Sequence, residues 1–527
     1  MSTASSFLTL RDAAPRSFVH REDGGGDRLL LVVNRAAEAW ALAKYFAHAP
    51  SPRKVGLLFG DAYLDESSGL LLIVEGSAIG YGGSFLNVWD AFRKLGLRWE
   101  DPWLVVQNAG SATRLEPFSG KNKGHLPLPN GRALADQAMA EARNFALRSP
   151  GGLFHVVAVD MLQKNANEAY AEEGARLLER FGLLITGIPV DVERLSEAQL
   201  RKWGFAVCEA ATGRVLCFVE HPGRVEPLRE ALGRYGGVKT TVFFSTFRFH
   251  VRPDFLDVYA RAMTGALFAE YRARVPPDVM AAARSAPSEA AFVESVAERV
   301  PGMESSERAV LYHLFKGGLE EGFYRGELAD FSDVVLEGLT ARDLESWERR
   351  RLGNERFSQR YTKDLWARFF HVARILERRC GGMAVLSAGE GAISEDLGTV
   401  DAMKEVYAAV RSRDKAGGVV REALHLPSPR GTPLIVNSRL GPRVVVKEGA
   451  MVVNCEIESG CLEGLVTDVH AGEVHVGPAS WLHGHYTVAG RPPLAPLVVS
   501  EGQDAVVQAR EPGVLALEPV ARRLPPR

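Results

Sequence analysis

The chain has 527 residues, 63 lysines and arginines against 65 aspartates and glutamates, and an apolar fraction of 46%. That length calls for two or three domains of soluble composition, and a net charge of −2 speaks against general nucleic-acid binding through phosphate contacts. Five cysteines at 208, 217, 380, 455 and 461 form no CxxC pair, so neither a disulfide framework nor a zinc site is expected.

In chain order, short Val/Leu/Ile-rich runs come first. "RLLLVVN", "KVGLLFG", "GLLLIVEG", "PWLVVQN", "LFHVVAVD" and "GLLITGIPV", between Arg28 and Val190, read as buried strands. Between them "AAEAWALAKYFA", "FLNVWDAFRKLG" and "ALADQAMAEARNFALR" carry apolar residues at helical spacing. This alternation predicts an α/β core with a mainly parallel sheet covered on both faces. Ligands of such sheets bind beyond the carboxyl ends of the strands, so the loops that leave strands are the places for chemistry.

Residues 255–379 read as a helical insertion, so the core is discontinuous, 1–254 and 380–425. The run Arg349–Arg351 in the insertion reads as a solvated helix face. Past the Pro-rich linker "LPSPRGTP", residues 434–527 change period. Leu440, Val446 and Val452 lie six apart, and the phase returns at Val476, Leu482 and Val488. Hexapeptide periodicity predicts a C-terminal parallel β-helix, a surface through which copies could associate as a homo-oligomer. No apolar run approaches the ~20 residues that span a bilayer, and no signal-peptide core opens the chain; a cytoplasmic location without a membrane partner is expected.

The richest stretch is "AGSATRLEPFSGKNKGHLPLP", Ala109 to Pro129, directly after a predicted strand. Ala109, Gly110, Ser111 and Thr113 are small enough for backbone N–H groups to approach phosphate oxygens. Arg114 adds a planar cationic fork, Lys121 and Lys123 add charge, and prolines 117, 127 and 129 stiffen the loop. The sequence GxxxxGK followed by Ser or Thr is absent, which excludes a P-loop of that class. A second glycine cluster, Gly80, Gly82 and Gly83, opens "GYGGSFLNVWDAF" and reads as a further ligand-facing turn.

On these residues the chain resembles the sugar-1-phosphate nucleotidyltransferases, whose signature GGxGTRLxP precedes a lysine and a proline pair. Gly110 to Pro117 and Lys123 to Pro129 match it, with Ser111 in place of the second glycine. Three further segments follow in the family's order: "FHVVAVDM" with Asp160, "GFAVCEAATGRVLCFVEHP" with Glu220 and His221, and "EDLGTVDAMKEVY" with Asp396. The upstream glycine loop, the insertion and the C-terminal β-helix are similar to the fucose-1-phosphate guanylyltransferase branch. The resemblance implies a Rossmann-like nucleotidyltransferase core, a left-handed β-helix, and a reaction of a nucleoside triphosphate with a sugar-1-phosphate, GTP and fucose-1-phosphate in that branch. It implies Arg114 and Lys123 as catalytic residues. Gly82, Gly83, Ala109, Gly110, Ser111, Thr113 and Lys121 would contact nucleotide or phosphate, Glu220 and His221 the sugar, and Asp160 and Asp396 a Mg²⁺ ion. His221 stands where the family carries lysine.

Three other readings compete with this one. A glucose-type pyrophosphorylase would use UTP, dTTP or ATP. A non-catalytic relative would bind nucleotide sugar or act as a scaffold. A hexapeptide acyltransferase would take its base from His483 or His485 of "WLHGH".

Overall fold

A computed structural model describes residues 28–34, 52–66, 69–77, 79–108, 124, 126–347, 362–426, 433–477, 480–483, 497–500, 505–511 and 514–519. Strands β1 (Arg28–Asn34), β2 (Arg53–Leu57), β3 (Gly60–Asp65) and β4 (Leu70–Glu75) lead into helix α1 (Gly80–Leu95) and strand β5 (Pro102–Gln107). Then come α2 (Leu134–Ala142), β6 (Leu153–Ala158), β7 (Met161–Lys164), α3 (Tyr170–Leu178), β8 (Leu183–Pro189) and α4 (Glu197–Lys202). Strands β9 (Gly204–Glu209), β10 (Val215–Glu220) and β11 (Thr240–Val251) end the first part of the core. The insertion is helical as expected, with α5 (Pro253–Met263) and α6 (Ser305–Lys316) among its helices. Helix α7 (Lys363–Cys380) then leads back into β12 (Met383–Ser387), β13 (Ile393–Asp396) and α8 (Val400–Arg411).

The core sheet is mixed, which corrects the mainly parallel expectation. Parallel pairing holds at its centre, β4–β1–β5–β6, and again between β8 and β12. Antiparallel pairs flank the centre, β2–β3–β4 on one side and β6–β11–β9–β10 on the other. The reason lies in the connections. "KVGLLFGDAYLDE" turns back on itself after Leu57 as a hairpin, and "GFAVCEAATGRVLCFVE" turns through Gly213 at φ 71°. Hairpins of this length cannot make the right-handed crossover that parallel pairing requires.

The central strands are buried on both faces. Residues Leu71, Ile73, Trp103, Val105, Phe154 and Val156 pack with α1 and the insertion; Leu72, Val74, Leu104, Val106 and Val157 pack with α2 and α8. Two-sided burial explains the unbroken apolar runs in the sequence. After β1 the chain proceeds to β4 on one side, whereas after β5 it proceeds to β6 on the other. Neighbours β1 and β5 therefore form a topological switch point, where open α/β sheets leave a crevice at the strands' carboxyl ends.

The C-terminal region runs in parallel columns. Strand β14 (Leu434–Val436) pairs with β16 (Met451–Val453), β16 with β18 (Leu465–Thr467), and β18 with β20 (Ser480–His483). A second column joins β15 (Arg439–Val446), β17 (Glu456–Leu462) and β19 (His470–Val476). Leu434 pairs with Met451, Met451 with Leu465 and Leu465 with Trp481, steps of 17, 14 and 16 residues. These unequal steps differ from a strict hexapeptide repeat. Turns between the columns place Asn437, Asn454 and Asp468 at positive φ, and Asn454 joins the other two by side-chain hydrogen bonds of 2.9 and 3.0 Å. Asparagine and aspartate tolerate that backbone better than other L-residues, so the turns set the step. Among the described residues no helix is long and apolar enough to cross a membrane.

Candidate active site

The carboxyl ends of β4, β5 and β6 lie on one side of the sheet. Asn108, just after β5, donates its backbone N–H to Val32 O (2.9 Å) and accepts the Gly124 N–H on its side chain (2.9 Å). A Cβ at Gly124 would collide with that amide. Gly124 is thus held where the chain left β5, beside the switch between β1 and β5. The chain after it is pinned where the Tyr407 hydroxyl donates to Pro127 O (2.8 Å), with Leu126 and Leu128 buried. Ala109, Gly110, Ser111, Thr113, Arg114, Lys121 and Lys123 lie outside the described residues, as does His485.

Asp160 and Asp396, 236 positions apart in sequence, meet. Val159 N–H bonds Gln107 O (3.0 Å), which holds Asp160 beside the end of β5 before the chain turns into β7. β13 pairs antiparallel with β7 so that Asp396 lies opposite Met161, and Leu397 N–H donates to Asp160 O (2.7 Å). The "DLGT" sequence explains the local turn: Gly398 N–H donates to Asp396 Oδ1 (2.7 Å), and the Thr399 hydroxyl caps α8 by accepting from Ala402 N (3.1 Å). The two aspartates are 8% and 9% exposed. Two hard carboxylates at neighbouring strand ends fit a Mg²⁺ ion that draws its remaining ligands from phosphate and water. Among the described residues no three His, Cys, Asp or Glu side chains form a metal group by themselves.

Glu220 and His221 belong to the same neighbourhood. β9 and β6 pair with successive halves of β11, so the start of β9, with Glu220 opposite Gly204, lies next to the end of β6. Glu220 Oε1 is 3.0 Å from His221 Nε2; the glutamate side chain is buried and the histidine partly open. Gly204 is required here, because a Cβ would strike the Glu220 carboxylate. His221 adopts φ 46° and its N–H bonds Trp203 O (3.2 Å). A β-unbranched but non-glycine residue at positive φ is strained and is held by its surroundings.

Several contributors had no motif to announce them. Lys202, the last residue of α4, donates to Asp396 O (3.4 Å) and lies over the Trp203 ring at 5.1 Å. It links the aspartate pair to the turn that carries His221. Tyr81 packs against the apolar group holding Ala158, Met161 and Trp203. Burial, and after it the carboxylates of Asp160, Asp330, Asp396 and Glu75, push the Tyr81 phenol well above its ordinary range, so it stays a hydrogen-bond donor. Glu75, at the end of β4, accepts a hydrogen bond from the Ser84 hydroxyl; burial raises its carboxyl to about 7. Buried Gln107 ends β5 with its Nε2 unpartnered among the described residues. Polar residues ending otherwise apolar strands were the available signal for Glu75 and Gln107.

Gly82 and Gly83 have a packing role that spacing alone did not reveal. Gly82 N–H donates to Ala329 O (2.8 Å), and a Cβ there would lie 2.8 Å from both Ala329 O and Tyr259 Oη. A Cβ at Gly83 would lie 2.7 Å from Ile79 Cβ. The glycines let α1 start flush against the insertion, with Gly80 at φ 73° making the turn.

His483, one base considered for acyl transfer, is 0% exposed and shares a 3.0 Å hydrogen bond with Thr467 Oγ1. Its ring is closed off from solvent within the column. Compared with known proteins, the chain matches no family model and no curated protein sequence.

Proposed function

We propose that this protein is a nucleotidyltransferase that condenses a sugar-1-phosphate with a nucleoside triphosphate, giving a nucleotide sugar and pyrophosphate. The reading rests on one observation above all. Asp160, Asp396 and the Glu220–His221 pair come from separate segments, yet they gather at the carboxyl edge near Asn108 and Gly124, which flank the Ala109–Lys123 stretch in sequence. On the same reading the core is a Rossmann-like nucleotidyltransferase fold and the C-terminal columns belong to a left-handed β-helix.

An oxygen of the sugar phosphate attacks the α-phosphorus, the bond to the β-phosphate breaks, and pyrophosphate leaves. The attacking group is already an anion at neutral pH, so the protein needs no general base. Its task is to bring two anions together and offset the charge gathered at the α-phosphorus. Arg114 and Lys123 are assigned to that charge, the small residues of the loop to the phosphates, and Glu220 with His221 to sugar hydroxyls. Asp160 and Asp396 would hold Mg²⁺, which supplies Lewis-acid stabilisation of phosphoryl oxygens. Lys202 keeps the Asp396 turn in place.

Pyrophosphate release measured for four nucleoside triphosphates against several sugar-1-phosphates tests the proposal. GTP with fucose-1-phosphate is the expected best pair, on the branch resemblance. Preference for UTP or dTTP with glucose-1-phosphate would move the assignment to the glucose-type branch. Absence of release with every pair would overturn it.

A further inference from the structure

β10 is an edge strand, and its outward N–H groups at Phe218 and Glu220 face the helical insertion. The insertion answers both with side chains. Thr340 Oγ1 accepts from Phe218 N (3.1 Å) and Glu337 Oε1 accepts from Glu220 N (3.1 Å). Glu337 is itself anchored, since its Oε2 accepts from the indole N–H of fully buried Trp347 (3.2 Å). It ends a π-helical turn, Ser332–Glu337, a rare form that recurs at functional sites. Just before that turn, Ala329 exchanges backbone hydrogen bonds with Ile79 and Gly82 at the start of α1. Asp330 follows, near enough to influence the Tyr81 phenol. One stretch of the insertion thus touches both walls of the crevice.

We infer that Glu337 is a positioning residue: it fixes the Glu220–His221 turn, so the insertion is a working wall of the site and not an appended domain. The turn is pinned at two consecutive amides, Glu220 N by Glu337 and His221 N by Trp203 O. Those two bonds hold the left-handed backbone at His221, which nothing local would favour. Loss of the first frees the turn to relax and carries the imidazole away from Glu220 Oε1. Outer partners of this kind are typically worth about 10–100-fold in activity. The inference rests on the assignment of Glu220 and His221 to the sugar end of the substrate.

The experiment uses the full chain with Glu337→Ala, Glu337→Gln and Thr340→Val, read by NMR titration of the His221 ring and by kinetics with the sugar-1-phosphate. Glu337→Ala should move the His221 titration and raise KM for the sugar phosphate about 10-fold, with a smaller change in kcat. Glu337→Gln has one acceptor oxygen for two donors, Glu220 N–H and the Trp347 indole, and should restore only part of both readouts. Thr340→Val frees the same strand edge two residues earlier and should leave both readouts near wild type. An unmoved His221 titration in folded Glu337→Ala, or equal effects from Thr340→Val, would overturn the inference. If Glu337→Ala fails to fold, Trp347→Phe, which releases only the outer oxygen, decides: a smaller shift in the same direction supports the inference and none overturns it. If the wild-type protein releases no pyrophosphate, the proposed reaction fails, while the His221 titration still decides on Glu337.

Discussion

Two groups of buried polar residues lie on this sheet, and they differ in what surrounds them. At the carboxyl edge, Asp160, Asp396, Lys202 and the Glu220–His221 pair are held by backbone turns and one another's main chain. In the middle of the sheet, His155 and His250 share a 2.9 Å hydrogen bond, and His250 continues through the Tyr170 hydroxyl (2.6 Å) to Thr186 (2.6 Å). Beside this chain, fully buried Arg248 donates to Gln163 Oε1 (2.8 Å) and stacks on Phe145 at 4.1 Å. The second group bonds largely within itself, but neither Nη of Arg248 has a hydrogen-bond partner among the described residues, and His155 lines a cavity of about 250 Å³ with Arg143 and Arg148. At the edge, Asp160 lies past the end of β6, and Asp396 and Glu220 are the last ladder residues of β13 and β10. The two groups thus differ in where they sit along the strands, one at the carboxyl ends and one at the middle.

The sharpest way to break this contrast is to exchange charge at the edge. Asp160→Asn and Asp396→Asn should each lower metal-dependent turnover by about 100-fold or more while the fold survives, because each removes a charge and no packing volume. Steady-state pyrophosphate release beside a denaturant curve checks both halves. Unchanged turnover in either variant would remove that residue from its assigned role.

Glu75 sharpens the comparison through pH. Its folded carboxyl, raised to about 7 by burial, binds a proton that the unfolded chain gives up near 4.5. Stability from this group is therefore full below about 4.5 and is lost as pH rises through 7. Glu75→Gln should stabilise the protein at pH 8 by roughly 3 kcal/mol relative to wild type and change little at pH 4. Urea unfolding at the two pH values measures it, and equal effects at both would refute the assignment.

The mid-sheet network should respond to mutation in stability alone. Tyr170→Phe removes the hydroxyl that joins Thr186 to His250 in a closed interior, at a cost of about 1–3 kcal/mol. Turnover should stay within about two-fold, because the network lies away from the proposed site. Burial also lowers the His155 imidazole to about 4 and that of His371, in the insertion, to about 3. Folded and unfolded forms are both neutral above about 6.5. Below it the unfolded chain takes protons that the fold refuses, so the acid limb of wild-type stability should fall between about 6.5 and 4. NMR titration of the two imidazoles in the folded protein checks this, and either ring found charged above about pH 5 would refute it.

Central strands β4, β5 and β6, helix α1 and the insertion's helices were legible in the sequence, because each is a local period of apolar residues. So was the aspartate at the end of "VVAVD" and the one in "EDLGT", since a polar residue closing an apolar run marks a strand end on local grounds alone. That Asp396 comes opposite Met161, next to Asp160, was not, because β7–β13 pairing joins residues more than two hundred positions apart and no short-range pattern encodes it. The same limit hid Lys202, Tyr81 and Glu337, ordinary residues on amphipathic helices until the chain folds them against the strand ends. The glycines of "GYGGSF" show the limit from the other side: spacing marked them as special, but only the approach of Ala329 and Tyr259 reveals what presses on them. Sequence alone determines where the chain is apolar and where it turns. Tertiary structure decides which turns meet, because hydrogen bonds and packing between distant segments depend on distances that no local period records.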